Sequence, residues 1–157
     1  MKKFSISLIA LLFSVSISFA QSGIELDNET GTSMKPIINS LNDVVDAIED
    51  TEGIEIVHIE FDLLFSDSPK EIYRNLSKDY TYGFMAYGDY RIEKVGIDLY
   101  RESETGWEFI KSGEINGGAI TLFYEVTEAG FYKISLRALQ MVEGYSVGHY
   151  GLVVIHD

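Results

Sequence analysis

From residue 54 to residue 155 apolar side chains recur at every second position in short runs, and turn-forming residues break the runs about every ten positions. That period belongs to strands with one buried face, so this stretch is restricted to an antiparallel, all-β architecture. The runs gather around 80–100, where Tyr80, Tyr82, Phe84 and Ala86 alternate on one side of Gly88-Asp89 and Val95, Ile97 and Leu99 alternate on the other. Read as a pair of strands, these two are marginal in water. The remaining runs must therefore cover their apolar faces.

Val57, Ile59, Phe61, Leu63 and Phe65 alternate with His58, Glu60 and Asp62, ahead of a turn at Ser66-Asp67-Ser68-Pro69. Residues 70–76 read as a short, polar edge strand. Residues 102–106 turn the chain into a run over 107–111, and Asn116-Gly117 is a pair favoured in two-residue hairpin loops. Ile120, Leu122, Tyr124 and Val126 alternate next, then Tyr132, Ile134, Leu136 and Ala138 after Gly130, and 151–155 closes as a nearly continuous aliphatic run. About eight strands spaced by turns predict an antiparallel, jelly-roll-like β-sandwich over 54–157.

Residues 33–53 carry the helical signal. Ile37, Leu41, Val44, Val45 and Ile48 fall three or four apart, Pro36 sits in the first turn, and Gly53 follows as a stop. A stripe of this kind packs on the sandwich or fills a partner's groove. Ahead of it, 21–32 is polar and aperiodic, a flexible leader. Residues 1–20 read as a signal peptide: Met1-Lys2-Lys3 is basic, 4–19 is apolar with interleaved serines, and Ser18 and Ala20 are small residues at a cleavage site. The run is too short and too rich in serine for a membrane span, and no other stretch is apolar enough to make one. The expectation is an exported protein, periplasmic or extracellular, with no membrane span after cleavage.

The chain of 157 residues has no cysteine, which excludes disulfides, thiol catalysis and thiolate metal sites. Its net charge is −13, and cleavage after Ala20 removes two lysines more, so nucleic acid is excluded as a partner by repulsion of its phosphates. With 46% hydrophobic and 13% aromatic residues, the 21–157 portion can be held by its core alone.

Tyr80-Thr81-Tyr82 leading to Gly88-Asp89-Tyr90-Arg91, the run Gly130-Phe131-Tyr132-Lys133-Ile134-Ser135-Leu136, and the closing strand at 150–155 resemble the bacterial pre-peptidase C-terminal (PPC-like) domain family. The resemblance implies a small jelly-roll β-sandwich, usually appended to secreted enzymes, without catalysis of its own and with calcium or polymer binding in some members. Two departures stand out. Lys94-Val95-Gly96 replaces the acidic Asp-Leu-Asp of the family, which removes the acidic pair from that calcium position, and no catalytic domain accompanies the module.

Gly144-Tyr145-Ser146-Val147-Gly148 spells the G-x-S-x-G nucleophile elbow, with His149 beside it, but a strand and not a helix follows, and Asp157 comes after both His149 and His156. His58, His149 and His156 have no zinc-protease spacing and are expected on the surface. Asp89, behind a glycine in a tight turn, is the candidate for a structural or calcium-linked role. Tyr80, Tyr82, Phe84, Tyr124 and Tyr132 keep the apolar phase and are expected in the core. Trp107, Tyr90 and Tyr145 stand beside turns, where rings next to carboxylates suit sugar stacking, and form the candidate ligand-binding set.

These readings converge on an exported, monomeric, non-enzymatic binding or accessory module for an exported protein or a cell-wall glycan. No cofactor is implied beyond calcium at Asp89. The alternatives are a calcium-assisted carbohydrate-binding module and, third, a serine hydrolase using Ser146.

Overall fold

The computed structural model describes residues 34–116 and 119–157. The signal-peptide and leader expectations, over 1–32, lie outside the described residues.

Helix α1 (Lys35–Glu49) has Pro36 in its first turn and ends where Gly53, at φ +82°, reverses the chain. Nine strands follow: β1 (Glu55–Phe65), β2 (Lys70–Leu76), β3 (Thr81–Gly88), β4 (Ile92–Ser103), β5 (Gly106–Ser112), β6 (Glu114–Asn116), β7 (Ala119–Glu125), β8 (Gly130–Met141) and β9 (Val147–His156). Eight match the sequence runs, and the three-residue β6 is the addition. It pairs with β7 through Asn116 opposite Ala119, so the hairpin is where Asn116-Gly117 placed it, although its loop lies outside the described residues.

Two antiparallel sheets form a sandwich, in the orders β1-β9-β3-β7-β6 and β2-β8-β4-β5. Most successive strands cross from one sheet to the other, β4–β5 and β6–β7 being the hairpins, which is the jelly-roll order. One reading is thereby corrected: β3 and β4, the two runs about Gly88-Asp89, do not pair. They lie in opposite sheets and face each other across the core, because a jelly roll buries two apolar faces against one another instead of laying them side by side.

The core between the sheets holds Tyr82, Phe84, Ile97, Leu99, Leu122, Tyr132, Ile134, Leu136, Tyr150, Leu152 and Val154. Tyr132 is fully buried, and its hydroxyl donates to the Glu128 carbonyl at 2.8 Å. Tyr80 is the exception to the expected core set, being 40% exposed, with its ring against His156 just outside the edge of the core.

A second apolar cluster lies on the outer face of the five-stranded sheet, where Ile37, Leu41 and Ile48 of α1 cover Met85, Tyr87, Val153 and Ile155. Burying each such side chain contributes roughly 1.5–3 kcal/mol, so the stripe of α1 is spent on its own domain. Burial on both faces explains the apolar character of β3 and β9. It also explains Gly151, since a Cβ there would lie 2.8 Å from the ring of Tyr87.

Strand β1 departs from its pattern. A bulge between Ile56 and His58 shifts its phase, so that Ile59, Phe61, Leu63 and Phe65 face outward, between 39% and 47% exposed. The polar phase points toward the gap between the sheets at the open edge beside β2. There Glu60 accepts from the Tyr150 hydroxyl at 2.6 Å, Lys70 bridges to Asp62, and His58 contacts both Glu60 and Arg74. Burial and the neighbouring Glu60 both push the Tyr150 phenol far up. No helix among the described residues is long and apolar enough to cross a membrane.

Candidate functional site

The connections β3–β4 and β8–β9 meet at one end of the sandwich, tied by the Val142 N–H donating to the Arg91 carbonyl at 2.9 Å. Asp89, Arg91 and His149 are buried beneath them. The Asp89 carboxylate accepts from the Arg91 guanidinium, from the Arg91 N–H at 3.0 Å and from the His149 N–H at 2.9 Å, while Arg91 also donates to His149 Nδ1 at 2.7 Å. Burial alone raises the Asp89 pKa, but the hydrogen bonds from Arg91 and from the two backbone N–H groups outweigh it and hold the carboxyl below its ordinary range.

In this geometry the carboxylate oxygens of Asp89 are hydrogen-bonded and its charge is met by Arg91. Among the described residues no group of three His, Asp or Glu side chains is placed to hold a metal ion. Gly148 owes its place to the same node, since a Cβ there would lie 2.6 Å from Ile92 and 2.9 Å from the Asp89 carboxylate. Of the G-x-S-x-G letters, Gly148 is thus required by packing and Gly144, at φ +91°, by the turn. Ser146 is exposed in the β8–β9 connection, and the hydrogen bonds of His149 Nδ1 run to Arg91. The expected surface placement of the histidines is corrected: His149 is buried by this node, His58 is partly buried on the edge strand β1, and His156 is partly buried at the end of β9.

The rings of Tyr90 and Tyr145 come together above the node, edge to face with centroids 5.7 Å apart. Their hydrogen bond raises the Tyr90 phenol. Trp107 does not join them. It stands on the outer face of the four-stranded sheet, 37% exposed, with Tyr73 and Phe131 at centroid distances of 5.5 and 6.2 Å. Tyr73 and Phe131 are themselves 5.9 Å apart and nearly parallel.

Strand register creates this aromatic face. Tyr73, Lys133, Tyr100 and Phe109 form one cross-strand row over β2, β8, β4 and β5, and Trp107 stands opposite Glu102 in the row beside it. The Lys133 ammonium lies beneath the rings, 4.7 Å from the centroid of Tyr100 and 5.1 Å from that of Trp107, and is held by Glu71 at 2.9 Å. Tyr73 donates its hydroxyl to the same Glu71, and that bond followed by Lys133 lowers the Glu71 pKa. The cation fixes the rings from below, so the face is preorganised. Of its members the sequence reading found only Trp107. The signal for Tyr73, Tyr100, Phe109, Phe131 and Lys133 was their position in the phase opposite to Ile72, Leu99, Ile110, Tyr132 and Ile134.

The chain has the fold of an antiparallel, jelly-roll-like β-sandwich. Solved structures share the fold, among them two from bacteria. One is the pre-peptidase C-terminal domain of collagenase from Bacillus anthracis, at TM-score 0.50 and 18% identity, covering 62% of this chain and 87% of that one. The other is Aeromonas hydrophila PliG, a periplasmic lysozyme inhibitor of g-type lysozyme, at TM-score 0.51 and 10% identity, covering 68% of this chain and 90% of that one. The resemblance to the pre-peptidase C-terminal domain read from the motifs is therefore a resemblance of fold as well. No protein-family model matches the sequence, and no curated protein matches it.

Proposed function

We propose that the protein is an exported, non-catalytic binding module that uses the outer aromatic face of its four-stranded sheet. The observation that carries this reading is the cluster of Tyr73, Trp107 and Phe131, with Lys133 against the Trp107 ring: large, rigid rings left exposed on a sheet that has an ample core on its other side. An apolar sheet face without a partner is a liability that solubility alone does not explain. The reading also draws on the lysozyme inhibitor of similar fold, a periplasmic protein that inhibits g-type lysozyme. Export rests on the basic, apolar and small-residue succession of 1–20. The non-catalytic part rests on Ser146, which stands in a loop before a strand without the helix an elbow requires.

The test uses insoluble envelope material from the source organism. The purified protein is expected to sediment with it, a Tyr73→Ala/Trp107→Ala variant to remain in the supernatant, and Ser146→Ala to behave as wild type. Ser146→Ala is also expected to leave the hydrolysis of a generic ester unchanged from background. Ser146-dependent turnover overturns the non-catalytic reading, and sedimentation of the double variant at the wild-type level overturns the assignment of the face.

A further inference from the structure

We infer that the ligand of this face is an extended, uncharged glycan lying across the strands, an inference that rests on the reading above and gives its ligand a chemistry. The argument lies in how polar and aromatic groups alternate on the face. Along β2, Tyr73 stands between Glu71 and Asn75 on the same side; along β4, Tyr100 stands between Asp98 and Glu102. On β8, Lys133 follows Phe131 on that side, so only β5, with Trp107 and Phe109, offers two neighbouring rings. A dry apolar knob from a protein partner would cover Glu102 and Asn75 without pairing them, at a cost of about 1–3 kcal/mol for each polar group left unsatisfied. A sugar does not impose that cost. Its C–H face lies against a ring while the hydroxyl groups at its edge donate to Glu71 and Glu102 and accept from Asn75.

The extent of the face fits several sugar residues. Its aromatic members come from all four strands, and three inter-strand spacings amount to roughly 14 Å. Electrostatics narrows the class further. Lys133 is already paired with Glu71, and Arg137 with Asp98, so neither offers a free cation to an anionic ligand. The chain as a whole carries a net charge of −13, which repels uronate and sulfate polymers. Rings locked by the ammonium beneath them lose little freedom on binding, which favours the shallow contact that a flat sheet allows.

Trp107 is the single tryptophan and reports on this face directly. The purified protein is titrated with cellohexaose, chitohexaose and xylohexaose, and with polygalacturonate as the anionic comparison, while Trp107 emission is followed. The expected result is a saturable emission change with at least one neutral hexaose and none with polygalacturonate. Tyr73→Ala is expected to weaken that binding at least tenfold with an unchanged circular dichroism spectrum, and Phe61→Ser, on the opposite sheet, to leave it unaltered. No response to any neutral hexaose at millimolar concentration, or a stronger response to polygalacturonate, overturns the glycan inference. If envelope sedimentation still depends on Tyr73 and Trp107 in that case, the glycan chemistry alone has failed; if it does not, the binding reading has failed with it.

Discussion

Replacing Asp89 by alanine tests the node that joins the two loop connections at one end of the sandwich. The Arg91 and Asp89 side chains are only 8% and 3% exposed, so the variant strands a guanidinium away from water without its counter-charge. It also deprives the Arg91 and His149 N–H groups of their acceptor. Removing one partner of a buried ion pair costs about 3–5 kcal/mol, a large share of the ~5–15 kcal/mol that holds an ordinary domain folded. Urea melts at pH 7 followed by circular dichroism should show the midpoint fall with the slope unchanged. Asp89→Ala/Arg91→Met removes the stranded charge as well and is expected to regain part of the loss, the remainder measuring the two N–H groups.

The same node gives a pH signature. The folded-state pKa of Asp89 is depressed, so its contribution is fully present above the unfolded value of about 3.9 and is lost as pH falls through the folded value. The stability difference between wild type and Asp89→Asn should therefore be greatest above about pH 5 and shrink as the solution is acidified below pH 4. A cost for Asp89→Ala under about 1 kcal/mol, or a difference from Asp89→Asn that does not change with pH, would refute the closed, charged node.

Three further outcomes are expected. Tyr132→Ala should destabilise the domain by about 3–5 kcal/mol in denaturant melts, since the ring is fully buried, and a loss under about 1 kcal/mol contradicts that placement. Phe61→Ser on the outward phase of β1 should change stability by no more than about 0.5 kcal/mol; a loss above about 2 kcal/mol would mean that the stripe is covered in solution. The intact mass of the protein recovered outside the cytoplasm of its source should match 21–157, and retention of Met1 to Ala20 would remove the case for export.

The fold was legible because local signals and tertiary demands agree along most of the chain. Ile97 and Leu99 enter the core in the phase their alternation specifies, and Tyr132, Ile134 and Leu136 do the same on β8. Turn residues mark the strand ends, and Pro36 and Gly53 bracket α1. Pairing partners were not legible. The Gly88-Asp89 connection has the letters of a tight turn, yet it serves as a crossing between sheets, because its geometry is fixed by Arg91 from one loop and His149 from another strand. A contact separated by 60 residues leaves no periodic trace in one sequence.

The candidate site was harder to read for a reason that β1 makes plain. Alternation shows that a strand has two unlike faces, but it does not say which face meets the core. On β1 the side chains that look like core face outward, and those that look like surface close the gap toward β2, because the bulge after Ile56 resets the phase and the strand lies at an edge where the sheets diverge. On β2, β4, β5 and β8 the difficulty takes another form. The rings of β2, β4 and β5 stand in the outward phase and β8 carries one in each phase, so that Tyr73, Tyr100 and Phe131 differ from Tyr132 only in the side of the strand they occupy. Trp107 and Phe109 share a phase, and it is a shared exposure, because Tyr100 and Glu102 opposite them belong to the outer face. What a sequence offers in such a case is the surplus: more rings than one core can take, some of them in the phase that carries Glu71, Lys133 and Glu102. A jelly roll with its core already filled by Tyr82, Phe84, Tyr132 and Tyr150 has no interior use for that surplus, and its exposure on the outer face is the observation on which the proposed binding role rests.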